Sequence, residues 1–177
     1  MRKKFKRWTF LFVQYLKRDW FKIMLWVLGL GLFAAGFIPS FQEIAKGQGL
    51  PQMFEALQNP AMIAIIGSTP IETASDYTLG ALYTQEMLLF SNLFAMVIAV
   101  IHVVSHTRRE EDLGIAELMR SLSIGRQAHS LATIAETVFV QFFLAVVIAV
   151  AITSFADQTL STKGSLLFGL SVGIAGV

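Results

Sequence analysis

The sequence predicts an all-α fold: a polytopic transmembrane helical bundle with three complete spans and a truncated fourth, an N-terminal interfacial helix and a cytoplasmic amphipathic helix. Three observations predict it. Only 15% of the 177 residues are charged against 55% hydrophobic, and the mean hydropathy is +0.63. A soluble domain carries about 25% charged residues. The apolar residues fall into runs near the ~20 residues that cross a ~30 Å hydrocarbon core. Basic residues cluster in alternate connections between those runs, the pattern left by retention on the cytoplasmic side.

The first apolar run spans 23–38 and ends at Pro39. The second spans 87–104, interrupted only by Ser91, Asn92 and His102, and the third covers 135–155, with its apolar run from about Val138. A fourth starts at Leu166 and is still apolar at Val177. At ~1.5 Å per residue that piece is roughly 18 Å long, too short to cross, so the sequence reads as the N-terminal portion of a longer or truncated chain. The basic start and Ala34, Ala35, Gly36 loosely fit a cleaved leader, but the long amphipathic stretch ahead of the first run argues against one. With no cysteine in the chain, disulfides and thiolate metal sites are excluded.

Orientation follows from charge. Arg2, Lys3, Lys4, Lys6, Arg7, Lys17, Arg18 and Lys22 precede the first span; Lys46 is the only basic residue between the first and second. Arg108, Arg109, Arg120 and Arg126 lie between the second and third, and only Lys163 follows. A multi-pass protein of the cell membrane is expected, with a cytoplasmic N-terminus and the 39–86 connection outside. In that connection Gln52–Gln58 reads as a short helix ended by Asn59 and Pro60, Ala61–Ile66 as a packed or re-entrant segment, and Asp76–Glu86 as a lead-in to the second span.

Residues 1–22 form the expected interfacial helix. Phe5, Trp8, Phe12, Tyr15 and Leu16 share one face, and Lys6, Arg7, Gln14, Lys17 and Arg18 the other; Phe10 and Val13 depart from the pattern. Trp8 and Phe12 with Lys17 and Arg18 suit a membrane interface, where lysines and arginines meet anionic lipid.

The segment 105–130 is the most charged in the chain. Four arginines and four acids (Glu110, Glu111, Asp112 and Glu117) lie between His106 and Arg126. At about 2.5–3.5 kcal/mol per charge, placing them in lipid would cost more than about 20 kcal/mol. Ile115, Leu118, Met119 and Leu122 follow the i, i+3, i+4, i+7 rule. The acids are expected in the first turns, where the helix dipole favours them, and Gly125 at the end. The segment therefore reads as an amphipathic helix in water or against another protein.

The run Glu110, Glu111, Asp112, Leu113, Gly114, Ile115, Ala116, Glu117, Leu118, Met119, followed by Ser121 to Arg126, resembles the first cytoplasmic loop of type-two ATP-binding-cassette exporter permeases. The preceding His106 to Arg109 is similar to the branch of polyketide-antibiotic exporters. The order of elements matches over nearly the whole chain. One departure is that many members carry proline where Ser123 or Ile124 stands. The resemblance implies a permease subunit that moves an amphipathic compound, such as an antibiotic, out of the cell by alternating access. A separate nucleotide-binding ATPase subunit would supply the energy, and the permease halves would pair as a dimer or as a pseudo-dimer in a longer chain. No Gly-x-x-x-x-Gly-Lys-[Ser/Thr] phosphate loop occurs in this sequence, in keeping with a subunit that is not itself an enzyme. The resemblance also implies that Glu110, Glu111, Asp112, Gly114, Glu117, Leu118, Arg120 and Arg126 couple to the ATPase, with Gly114 allowing close approach. It calls for no cofactor, metal or nucleic acid.

Two other readings use different residues. His102, His106 and Glu110 form one i, i+4, i+8 stripe that suits a metalloenzyme site, though only His129 remains as a further histidine. A non-transporting scaffold or regulatory subunit would need no polar pathway. Ser91, Asn92, Gln141 and Thr153 suit either a pathway or helix adhesion, and Gly29, Gly31 and Gly36 suit close helix packing.

Overall fold

The computed structural model describes residues 5–112, 114, 125, 127–156 and 159–177, without the side chains of 108–112. It consists of helices α1 (Trp8–Gly36), α2 (Ile38–Ile44), α3 (Gly49–Leu57), α4 (Pro60–Ile66), α5 (Leu79–Asp112), α6 (Ala128–Phe155) and α7 (Thr162–Ala175), with a 3-10 turn at Ala74–Asp76. No strand occurs among the described residues. α1, α5 and α6 are each long and apolar enough to cross a membrane; α7 is a shorter apolar helix.

α6 is the central helix. α1 packs along one side of it and α7 along another, while α5 crosses α7 and touches α1 and α6 more lightly. The core is made of stripes one helical turn apart: Ile23, Val27, Leu30 and Ala34 on α1, and Val140, Leu144, Ile148 and Ile152 on α6. Leu82, Tyr83 and Met87 of α5 and Phe168 and Val172 of α7 complete it. The outward faces are as apolar as the core. Trp20, Phe21, Leu25, Leu28 and Leu32 of α1, Val97, Val100 and Ile101 of α5 and Phe142, Val146 and Val150 of α6 are all exposed. A continuous surface of this kind is stable only against lipid or further protein.

The α6–α7 crossing rests on two glycines. A Cβ built on Gly169 would stand 2.3 Å from the Ala145 carbonyl oxygen, and one on Gly173 would stand 2.8 Å from that of Gln141. Small residues one turn apart let two helix backbones approach this closely. The glycines expected to do so are arranged differently. Gly29 and Gly36 have nothing within 4 Å of a built Cβ, and only Gly31 meets a neighbour, Val147 at 3.2 Å.

Two boundaries differ from expectation. The expected boundary between the interfacial helix and the first span, at residues 22 and 23, falls inside one continuous helix, α1 (Trp8–Gly36). Its buried stripe runs Leu11, Tyr15, Asp19, Ile23, so the basic stretch is carried into the bundle by an acid on the packed face. α5 also continues beyond residue 104 to Asp112. Glu110, Glu111 and Asp112 are thus its last turn, not the first turn of a following helix. Gly114 follows in a left-handed conformation, φ 69°, which glycine adopts without steric cost and which ends helices.

The 39–86 connection folds onto the bundle. Asn59 Oδ1 accepts from the Ala61 amide at 2.9 Å and caps α4, with Pro60 in the first turn. Burial, with Glu86 adding to it, pushes the Tyr77 hydroxyl up to about 12, so it stays a neutral donor to Gln85 Oε1 at 3.1 Å. The buried Tyr83 hydroxyl donates to the Ala34 carbonyl at 2.5 Å, joining α5 to the end of α1. Tyr83→Phe is expected to destabilise the bundle by about 1 kcal/mol, read as a lower Tm in detergent; an unchanged Tm would mean the bond adds nothing. At the other end, the Gly125 amide donates to the Lys6 carbonyl at 3.0 Å, tying the approach to α6 to the residues that lead into α1.

Candidate functional site

Near that tie, three helices bring ionisable side chains together inside the bundle. α1 contributes Tyr15, Arg18, Asp19 and Lys22; α5 contributes His102 and His106; α6 contributes His129 and Glu136. Spacings of four and seven residues hold Tyr15, Asp19 and Lys22, His102 and His106, and His129 and Glu136 each on one face of their helix, with Arg18 next to Asp19. Asp19, His102, His106 and Glu136 are all buried, Glu136 completely.

Asp19 is the best-satisfied member. Its carboxylate accepts from Arg18 Nε at 3.0 Å and Lys22 Nζ at 3.1 Å, and His106 Nε2 lies 3.2 Å from its Oδ2. Arg18 also donates from Nη2 to His106 Nδ1 at 2.8 Å. A guanidinium only donates, so His106 Nδ1 is the acceptor and Nε2 carries the proton. Arg18 further lies over the Tyr15 ring, 4.9 Å from its centroid, and Tyr15 Oη shares a 2.7 Å hydrogen bond with His129 Nδ1.

Glu136 is held differently. Its Oε2 lies 3.6 Å from both His102 Nε2 and His106 Nε2, and neither of its oxygens has a hydrogen-bond partner. His102 Nε2 is unpartnered too, although its ring packs edge-on to Trp26 and lies 4.6 Å from the His106 ring. Charged groups at such depth are costly unless paired, so an acid there marks a functional position.

Of the expected interface residues, Trp8 and Phe12 are half-buried against Leu11, Tyr15, Ala128 and Ala132, and Phe12 meets Phe139 edge-on at 5.9 Å. Lys17 is exposed, whereas Arg18 is drawn into the cluster. Of the expected coupling residues, Glu110, Glu111 and Asp112 lie on the end of α5 and Gly114 on the exposed turn after it. Nothing lies within 4 Å of a Cβ built on Gly114. Glu117, Leu118, Arg120 and Arg126 lie outside the described residues. Of the expected stripe of His102, His106 and Glu110, the two histidines meet, with Glu136 of α6 beside them, while the Glu110 side chain lies outside the described residues. Asp19 and Glu136 were missed by sequence reasoning. The available signal was an acid inside or beside an apolar run.

A second feature is an apolar cleft of about 670 Å³ between the 66–71 segment and α5, lined by Ile66, Pro70, Ile71, Leu88, Asn92 and Met96. Asn92 Oδ1 is buried there without a hydrogen-bond partner. Of the other polar span residues, Ser91 and Gln141 are buried, with Ser91 Oγ and Gln141 Oε1 unpartnered, while the exposed Thr153 donates to the Ala149 carbonyl at 2.7 Å.

Three long apolar helices and an apolar outer surface define a polytopic α-helical membrane protein. No protein-family profile matches the chain. It is similar to the multidrug efflux system permease protein Rv1217c of Mycobacterium tuberculosis, 27% identical over 167 residues. The match covers 92% of this chain and 29% of that protein. The expected resemblance to an exporter permease is borne out by this relative.

Proposed function

We propose that this chain is part of the permease of an ATP-driven efflux system, carrying amphipathic compounds out across the cell membrane. Its similarity, over nearly its whole length, to a multidrug efflux permease carries the reading. The cleft supports it: a mostly apolar wall with a few polar groups, the buried and unpartnered Asn92 Oδ1 among them, suits an amphipathic ligand. The N-terminus and the 105–130 segment face the cytoplasm, where a nucleotide-binding subunit docks on the acids from Glu110 to Glu117 and on Arg120 and Arg126, and the 39–86 connection lies outside. Trp8, Phe12 and Lys17 sit at the lipid interface. The permease acts as a dimer or as a pseudo-dimer in a longer chain, and antibiotics fit the cleft's chemistry.

The test is Glu117→Lys in the full natural chain. Export, measured as drug accumulation in cells, is expected to fall at least tenfold, with membrane insertion unchanged, because reversing one charge at a docked interface costs several kcal/mol. Unchanged export and unchanged co-purification with the ATPase would remove the docking assignment.

A further inference from the structure

We infer that His102, His106 and Glu136 form a binding site for one divalent first-row transition-metal ion, Zn²⁺ foremost, that fastens α5 to α6 inside the bundle. One ligand atom from each of the three side chains lies within 4.8 Å of the other two. Both imidazole Nε2 atoms stand 3.6 Å from Glu136 Oε2. A tetrahedral ion with bonds of ~2.0–2.1 Å separates its ligands by about 3.4 Å, so ligation asks for only small shifts of the side chains. Nitrogen and carboxylate donors together select zinc and its neighbours over the hard cations that prefer all-oxygen sites.

The second observation is the state of the donors. Glu136 is wholly buried with both oxygens unpartnered, and His102 Nε2 faces it, also unpartnered. A bound cation would satisfy all three atoms at once. Asp19 Oδ2, 3.2 Å from His106 Nε2, borders the fourth position.

Arg18 sets the affinity. Its hydrogen bond to His106 Nδ1 requires the proton on Nε2, where the metal would bind. Loading therefore moves that proton to Nδ1 and turns the guanidinium away. The Arg18 side chain is 47% exposed, so water is within its reach. Its departure also removes a positive charge from the site. Arg18→Gln should then bind metal more tightly, because an amide oxygen can accept from Nδ1–H.

The experiment uses the full natural chain, purified in detergent, stripped with a chelator and titrated with Co²⁺. One equivalent is expected to bind with the strong visible d–d absorption of four-coordinate cobalt, and Zn²⁺ should displace it. Glu136→Gln and His102→Gln, both close to the native shape, should abolish the band while leaving the gel-filtration profile unchanged. Arg18→Gln should lower the Kd roughly tenfold. The inference is overturned if no equivalent binds, if the cobalt is six-coordinate and weakly absorbing, or if the band survives in both glutamine variants. None of these readouts depends on transport, so failure here leaves the efflux reading standing.

Discussion

Gly169→Val should drive α7 off α6. The built Cβ falls 2.3 Å from a backbone oxygen and 3.2 Å from the backbone nitrogen and Cβ of Ala149, so no side-chain rotation relieves the clash. The helices must part, and the contacts of Phe168 and Val172 with the core weaken along with the crossing. Overpacking alone costs about 1–3 kcal/mol, and separating two helices adds to it. The expected readout is a broad or absent monodisperse peak in detergent gel filtration and a lower Tm. Gly29→Ala is the matched control: it meets nothing within 4 Å and replaces glycine with a better helix former. If Gly169→Val behaves like Gly29→Ala, the crossing is looser than described.

Glu136→Lys should be the most damaging single change in the polar cluster. It puts an ammonium where two imidazoles lie 3.6 Å away, at a position with no exposure. An uncompensated buried cation costs ~3–5 kcal/mol. Little full-length protein should accumulate in the membrane, while Glu136→Gln, which removes the charge and keeps the shape, should accumulate normally. Comparable amounts of both proteins by immunoblot would show that the site tolerates a cation, and that Glu136 is better solvated than its burial indicates.

How much of this could be read from residue order depends on whether the deciding interaction is local. The three long helices were legible because lipid acts on each segment separately: an apolar run must be long enough, whatever surrounds it. The division of α1 at residue 22 was misread because Lys17, Arg18 and Lys22 look like headgroup ligands when viewed alone. Asp19 changes this by pairing two of them on the packed face, and its effect shows only once α5 brings His106 beside it. The candidate site divides similarly. His102 and His106 share a helix and announce themselves by spacing. Glu136 lies 34 residues from His102 along the chain, and no periodicity connects them. The end of α5 was misplaced because acids were taken as the mark of a helix start, which is a weak electrostatic preference. Here the helix runs on unbroken from the span to Asp112, and the left-handed turn at Gly114 marks where it stops.

The bond from Gly125 to Lys6 has a mechanical corollary. A pull on the chain just ahead of α6 reaches residues 5–7 through one short strut, and Leu11 and Tyr15, seated on Ala128 and Ala132, relay it along α1. The starts of two helices more than a hundred residues apart in the chain thus tilt together, and the buried acid at position 19 moves as part of the same rigid arm.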